Sequence, residues 1–400
     1  MSSPPETNRR GDGDAFPWVR VSLLGVATIA AYGSWAYAFG VLLDPIVADT
    51  GWKQSWVVAA FGASGIAGSL AAPFGGRAID RFSPRLLFSV TGLVSTVAFW
   101  TASQANSPVA FAAAASIGGA VLAGFGYYHI TQTVAIRAAP RHIQRAVGVV
   151  TLLGAFASTI YLPLSAWLVT TYDWRVALRA LALVTGVVLV LVGAFSAGHG
   201  EQAEPGNRVR WQNILDTPSK RRYATASAAV GVATGIILVY QVPLMTDAGL
   251  RLTTAAWLAG FRGVTQFLGR LPVTQLVGRF GTVGSLKIAF AAITIGALLL
   301  GVAGSPTIGV AYVIVAGFGI GATSPLQGIY GTELFDQKQL GQGLGVIAMI
   351  FGLSVSVSPF LVSVLNDLTS SRWWAVGIAV AAGLTATLLL PTAGVRRLVR

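Results

Sequence analysis

From residue 18 onward the chain runs in long apolar stretches parted by short polar breaks. Nearly all of them reach the ~20 residues that a helix needs to cross the hydrocarbon core of a bilayer. The pattern predicts crossings at 18–45, 54–77, 85–104, 108–136, 144–170 and 174–196, then at 222–247, 253–278, 284–304, 306–332, 340–366 and 371–392. This is the pattern of an all-α membrane protein with twelve transmembrane helices. A polar gap after the sixth divides the spans into two halves, 18–196 and 222–392, joined by a linker at 197–221. The polar stretch 1–17 reads as a disordered N-terminus and 393–400 as a tail. Within the linker, Trp211, Ile214 and Leu215 suit a short amphipathic turn on the membrane surface.

Composition agrees. The 400 residues are 54% hydrophobic and 10% charged, with a mean hydropathy of +0.69, whereas a soluble domain runs about 25% charged. The net charge of +13 would suggest nucleic acid in a soluble protein. Here its carriers lie in loops. Arg77, Arg81, Arg85, Arg137, Arg141, Arg145, Arg208, Arg210, Lys220, Arg221 and Arg222 fall on the side of the termini, against Lys53, Arg175, Arg251 and Arg372 on the other. The positive-inside rule then puts both termini, the linker and the tail in the cytoplasm of a cell (inner) membrane. The expected surroundings are the lipid bilayer, with no nucleic-acid partner.

Several chemistries have no residues to carry them. The absence of cysteine excludes disulfides and thiolate sites. His129, His142 and His199 are scattered, with no metal-ligand spacing. Glycine runs such as Gly62-Ala-Ser-Gly65 lie mid-span and lack the lysine of a phosphate loop. No cofactor, metal or enzymatic triad is expected.

One span breaks the apolar rule. Phe261 to Phe280 carries Arg262 and Arg270 inside the crossing. A guanidinium near the centre of a spanning helix costs at least ~2.5–3.5 kcal/mol on insertion scales, and it cannot lose its charge to escape. Arg270 is therefore expected to face a watery cavity between helices and to attract anions; the bland alternative is an arginine satisfied by helix ends and carbonyls. Arg262 would sit nearer the outer mouth, where Asp44 or Asp247 is available to neutralise it. Pro163, Pro243, Pro272, Pro325 and Pro359 lie within spans and offer bending points.

The halves echo each other. Ala123-Gly-Phe-Gly126 returns as Ala316-Gly-Phe-Gly319, Arg81-Phe82 as Arg279-Phe280, Gly148-Val149 as Gly345-Val346, and Pro163 pairs with Pro359, all at nearly the same separation. Two parallel six-span halves, with a site near the membrane midplane between them, follow the plan of major facilitator transporters, which implies two pseudo-symmetric six-helix bundles. Between spans two and three, Gly76-Arg-Ala-Ile-Asp80-Arg81-Phe-Ser-Pro-Arg85 resembles that superfamily's loop signature. The resemblance implies a cytoplasmic gate built on Gly76, Asp80, Arg81 and Arg85. Ser83-Pro84 departs from the pattern, and Gly278 replaces the aspartate in the second half.

Within the superfamily, Tyr32-Gly-Ser-Trp35, Phe39-Gly-Val-Leu and Gly51-Trp52 are similar to the opening of the monocarboxylate and oxalate/formate branch, and Asp173-Trp174-Arg175 has the same character. Gln266-Phe-Leu-Gly-Arg270 matches the branch's eighth span, in which an acid precedes the substrate arginine by four. That implies Arg270 as the substrate ligand and leaves Gln266, which cannot titrate, where the proton carrier would be. Tyr37 stands near the first-span lysine of the animal members, and the eleventh-span lysine of a dicarboxylate exchanger is missing. One central cation suits a monoanion. Spans ten and eleven offer Ser324, Gln327, Ser354, Ser356 and Ser358 instead.

Tyr37, Tyr127, Tyr128, Tyr240 and Gln266 are the candidate donors around a bound carboxylate, with Thr131, Gln132 and Gln241 as further amide and hydroxyl groups. His129 is the one titratable candidate for proton coupling inside a span, its alternative role being a structural hydrogen bond. The expectation is a monomeric carrier of a small organic monoanion, coupled to protons or a counter-anion. The competing readings are proton-coupled efflux of hydrophobic or drug-like compounds and a non-transporting sensor on the same fold.

Overall fold

The computed structural model describes residues 16–195, 214–335 and 340–390. The ends and the middle of the linker, Trp211 included, lie outside the described residues. Among these residues the chain is helical throughout, with no strand.

The first span is α1 (Trp18–Tyr32), a π-helical turn (Gly33–Tyr37) and α2 (Phe39–Thr50). Next come α3 (Gln54–Arg81), α4 (Pro84–Ser103), α5 (Pro108–Phe125) with α6 (Tyr128–Ala138), α7 (Ile143–Gly154) with α8 (Phe156–Thr171), and α9 (Trp174–Phe195). The second half holds α10 (Pro218–Asp247), α11 (Leu252–Arg270), α12 (Val273–Gly301), α13 (Pro306–Leu334), α14 (Leu340–Thr369) and α15 (Trp373–Leu389). Within α12, Gly281 adopts φ 69°, a left-handed bend that ends the eighth crossing and starts the ninth. Ten helical stretches are long and apolar enough to span a bilayer. With arginine-bearing α11 and the shorter α15 they give the twelve predicted crossings.

The helix starts have a local cause. Ser83, Ser107, Thr217 and Ser305 each accept a hydrogen bond from the backbone N–H three residues on, and each is followed by a proline at the first helical position. The side chain satisfies one orphan donor, and proline's fixed φ suits a position whose N–H needs no partner. The Ser83-Pro84 departure from the superfamily loop is thus the cap of α4.

The two halves use the same internal pairings. In the first, α3 packs on α5, α4 on α9 and α1 on α7; in the second, α11 packs on α13, α12 on α15 and α10 on α14. Each bundle is a six-helix unit built to one plan. The bundles meet through α3 with α14, α8 with α11 and α2 with α10.

Two ends of the molecule can be distinguished. The terminal face holds the start of α1, the end of α9 and the start of α10. The far face holds the 50–54, 247–252 and 369–373 turns. At the terminal face Ile214 is buried, so it joins the core rather than the membrane surface. There Lys220 donates to Asp216 at 2.8 Å, which holds that carboxyl below the usual carboxylate range.

Bundle-to-bundle hydrogen bonds and ion pairs among the described residues gather on the far half. Arg372 pairs with Asp44 on α2 and with Asp247 at the end of α10. Asp367 of α14 accepts from the Ser55 N–H at 3.0 Å, capping α3 from the other bundle. Thr159 on α8 donates to the Gly260 carbonyl of α11 at 3.0 Å. Gly40 on α2 lies so close to α10 that a Cβ would stand 2.8 Å from the Val239 carbonyl oxygen. This conformation is sealed at the far face.

Of Pro163, Pro243, Pro272, Pro325 and Pro359 only Pro272 stands at a helix end; the other four lie inside continuous helices. The real interruptions fall at Gly33–Tyr37, at 126–127, at Ala155 and at 271–272.

Candidate functional site

Three of those interruptions carry the candidate binding residues. Tyr37 closes the π-turn of the first span, with Tyr32 just before it. Tyr127 and Tyr128 stand where α5 gives way to α6. Arg270 is the last residue of α11, before Leu271-Pro272. Broken helices free backbone polar groups within the membrane, and transporter sites are typically built on them.

On the first bundle the tyrosines form one cluster. Tyr32 stacks on Tyr127 with ring centroids 3.7 Å apart and lies 5.1 Å from Tyr128 and 6.4 Å from Tyr37. All four are half-buried. Tyr32 is the member that the sequence did not single out, although it opens the same Tyr32-Gly-Ser-Trp35 patch.

Across the interface, α11 presents three faces. Gly260 receives α8 hydroxyls on one side. On another, Thr265 donates to the Val313 carbonyl at 2.7 Å and Gly269 lies against Phe318 of α13. Gln266 and Arg270, one turn apart, occupy the strip between, and both are half-buried. Arg270 lies near enough to Tyr128 of the opposite bundle for the two to interact electrostatically. Arg270 has no carboxylate in ion-pair range among the described residues, and its buried Nε has no hydrogen-bond partner. As the C-terminal residue of α11 it does lie where the helix dipole favours a cation.

Other predicted residues are placed elsewhere. Tyr240 is fully buried on α10 and donates to the Pro359 carbonyl at 3.0 Å. Its charged neighbours are Arg372, Asp44 and Asp367, at the far end of the molecule. His129 is exposed, and its Nε2 lies 2.9 Å from the Gly124 carbonyl, which the α5–α6 break leaves without a helical partner. Ser354 and Ser356 bond back to their own helix, and Ser358 donates to the Val232 carbonyl. Arg81 and Arg85 are exposed at the turn between α3 and α4. The side chains of Gly76 and Asp80 lie outside the described residues, so the proposed gate has no described geometry at those two positions.

Arg262 corrects one expectation. Neither Asp44 nor Asp247 neutralises it, because both are bound to Arg372. It is 2% exposed, and its Nε donates to the Gln241 side-chain oxygen at 2.9 Å. Tyr312 donates to that same oxygen at 2.9 Å.

The molecule therefore offers a cation facing a cluster of phenols where two bundles meet, beneath a sealed far face. The sequence model of the Major Facilitator Superfamily matches residues 23–248 and again 223–397. The chain is similar to monocarboxylate transporter 13 of Bos taurus, 26% identical over 88% of this chain and 84% of that protein. Among solved structures it resembles the nucleoside transporter NupG, with a TM-score of 0.74 at 12% identity over 93% of this chain and 97% of that one. It also resembles a D-xylose-proton symporter, with a TM-score of 0.69 at 14% identity over 94% and 98% of the two chains. At such identities the structures speak for the fold alone. A multi-pass membrane protein built from two matching six-helix bundles, the chain belongs to the Major Facilitator Superfamily, whose members are secondary transporters of small molecules rather than enzymes.

Proposed function

We propose that the chain moves a small organic anion, a monocarboxylate by preference, across the cell (inner) membrane by alternating access. The observation that carries this reading is Arg270: a permanent charge at the bundle interface, with no acid beside it and an unpartnered nitrogen. A carboxylate supplies what that guanidinium lacks, through two parallel hydrogen bonds. Tyr32, Tyr37, Tyr127 and Tyr128 add hydroxyl donors and an apolar wall from the other bundle, and Gln266 adds an amide. Because the guest touches both bundles, binding favours their closure around it.

The similarity to a monocarboxylate transporter supports the substrate class. The basic loops support a cytoplasmic terminal face, and on that reading the present state would load from inside. Gly76, Asp80, Arg81 and Arg85 would latch that side when the far face opens. His129 would stabilise the α5–α6 break, with its proton playing no part in coupling. The competing efflux reading concerns hydrophobic or drug-like compounds, and any of these that carry a positive charge would be repelled by Arg270.

Uptake of radiolabelled lactate and pyruvate into proteoliposomes tests this. The wild type should accumulate at least one of them and Arg270→Gln neither. Equal uptake by both proteins would remove Arg270 from the mechanism.

A further inference from the structure

Arg262 is the second intramembrane cation on α11, and transport as described above leaves it without a task. It sits eight residues before Arg270, ~12 Å nearer the far face along the helix axis. Among the described residues its one side-chain partner is Gln241, and its buried Nη2 has none. Gln241 and Tyr312 are fully buried and neutral. A purely structural buried arginine is ordinarily paired with a carboxylate or saturated by carbonyls, because an unpaired buried charge is strongly destabilising. Here both requirements go unmet, although Asp44 and Asp247 lie on the same half of the molecule.

The surroundings say when the charge would be met. Gln241 follows Val239, whose carbonyl abuts Gly40 of the opposite bundle, by two residues. Arg262 stands between Gly260 and Gly263, the residues against which Ser158 of α8 is seated. These are the contacts that close the far face. Any separation of the bundles at that end breaks them first and uncovers the helix surfaces beside this cluster.

We propose that Arg262, Gln241 and Tyr312 form a second anion station, sealed in this conformation and open to the far side when the bundles part there. It would take a carboxylate or similar small oxyanion on Arg262 Nη2, with the Tyr312 hydroxyl released from Gln241 as a second donor. The guest would then pass between two stations on one helix, Arg262 serving the far side and Arg270 the terminal side. The role of the station in transport rests on the anion-carrier reading; its charge and accessibility do not.

The chain contains no cysteine, so one introduced thiol is the sole target for labelling. Gln241→Cys and Tyr312→Cys, each purified as a monodisperse protein and reconstituted in vesicles, are treated from the far side with two membrane-impermeant methanethiosulfonates, one sulfonated and one bearing trimethylammonium. With rates scaled to those for free 2-mercaptoethanol, the anionic reagent should win by about tenfold or more, the bias a charged cleft gives to on-rates. Adding Arg262→Gln should bring the ratio to near one. No reaction at either position, equal rates for the two reagents, or a preference that survives Arg262→Gln would each overturn the station. Lack of lactate and pyruvate uptake alongside an intact preference would instead count against the monocarboxylate reading and leave the station standing.

Discussion

Arg372 and Arg270 are both cations beside the bundle interface, and the protein treats them oppositely. At the far face Arg372 is held by Asp44 and Asp247, one carboxylate from each bundle. At the end of α11, Arg270 has no carboxylate in ion-pair range among the described residues, and its buried Nε is unpartnered. Acids are scarce in this chain, with 14 aspartates and glutamates against 27 lysines and arginines. Asp44, Asp247 and Asp367 are committed to the far face, and among the described residues none pairs with Arg270. On the proposed reading the satisfied cation is a latch and the unsatisfied one a receptor.

Removing the receptor should have the largest effect. Arg270→Gln should lower acid transport kcat/KM by at least ~30-fold, since losing one partner of a buried charged pair costs about 2–5 kcal/mol. Single-time-point uptake would suffice to see it.

Disturbing the seal by volume comes next. Gly40→Leu drives a side chain against the Val239 carbonyl, and overpacking of this kind costs about 1–3 kcal/mol. The penalty falls only on the far-closed state. Spin-label distances across the far face should therefore lengthen while the purified protein stays monodisperse. An unchanged distance distribution would show that this glycine contact does not set the closed state.

The latch itself should give a smaller and asymmetric response. Asp44→Asn removes the cross-bundle partner of Arg372, whereas Asp247→Asn removes a partner within its own bundle. The partly exposed Asp44 pair is expected to contribute about 1 kcal/mol, near the upper end for solvent-touched ion pairs. Only Asp44→Asn should populate the far-open state in the same distance measurement. Equal shifts from both variants would make the network general electrostatics rather than a latch.

The smallest effects are expected at residues whose polar atoms are already used. Tyr240→Phe loses a bond to the Pro359 carbonyl, about 1 kcal/mol of stability, with uptake KM unchanged. His129→Gln should leave substrate-driven pH changes in proteoliposomes intact. Loss of those changes in a well-folded His129→Gln protein would move this histidine from cap to proton carrier.

Much of the architecture was legible because bilayer crossing is a one-dimensional constraint. Length and hydropathy mark out the twelve spans, whereas the Ser-Pro and Thr-Pro caps of α4, α5, α10 and α13 came to light only in the structure. Arg270 stands out for the same reason, as a charge inside an apolar run, and its role remains the proposal above. The pairing of charges was not. Asp44 and Asp247 lie far in sequence from Arg372, and only folding shows that it, not Arg262, is their partner.

The helix breaks were also hidden. Proline drew the eye, yet Pro163, Pro243, Pro325 and Pro359 sit in unbroken helices, where losing one hydrogen bond bends a helix without ending it. The π-turn at Gly33–Tyr37 and the break at 126–127 contain no proline at all. They arise where Gly33 faces the Tyr161 ring of α8 and where Gly126 follows the close packing of α5 on α3. Those are tertiary causes with no local signature.

The most direct test of the central claim is the shift in melting temperature of the purified protein over a series of monocarboxylates, measured in parallel for wild type and Arg270→Gln. A ligand that binds only the folded state stabilises it by an amount that grows with concentration over Kd, about 2.7 kcal/mol at a hundredfold excess. At least one acid should raise the wild-type melting temperature in a saturable way and leave that of Arg270→Gln unmoved. Equal shifts in the two proteins would contradict an anion site built on this guanidinium.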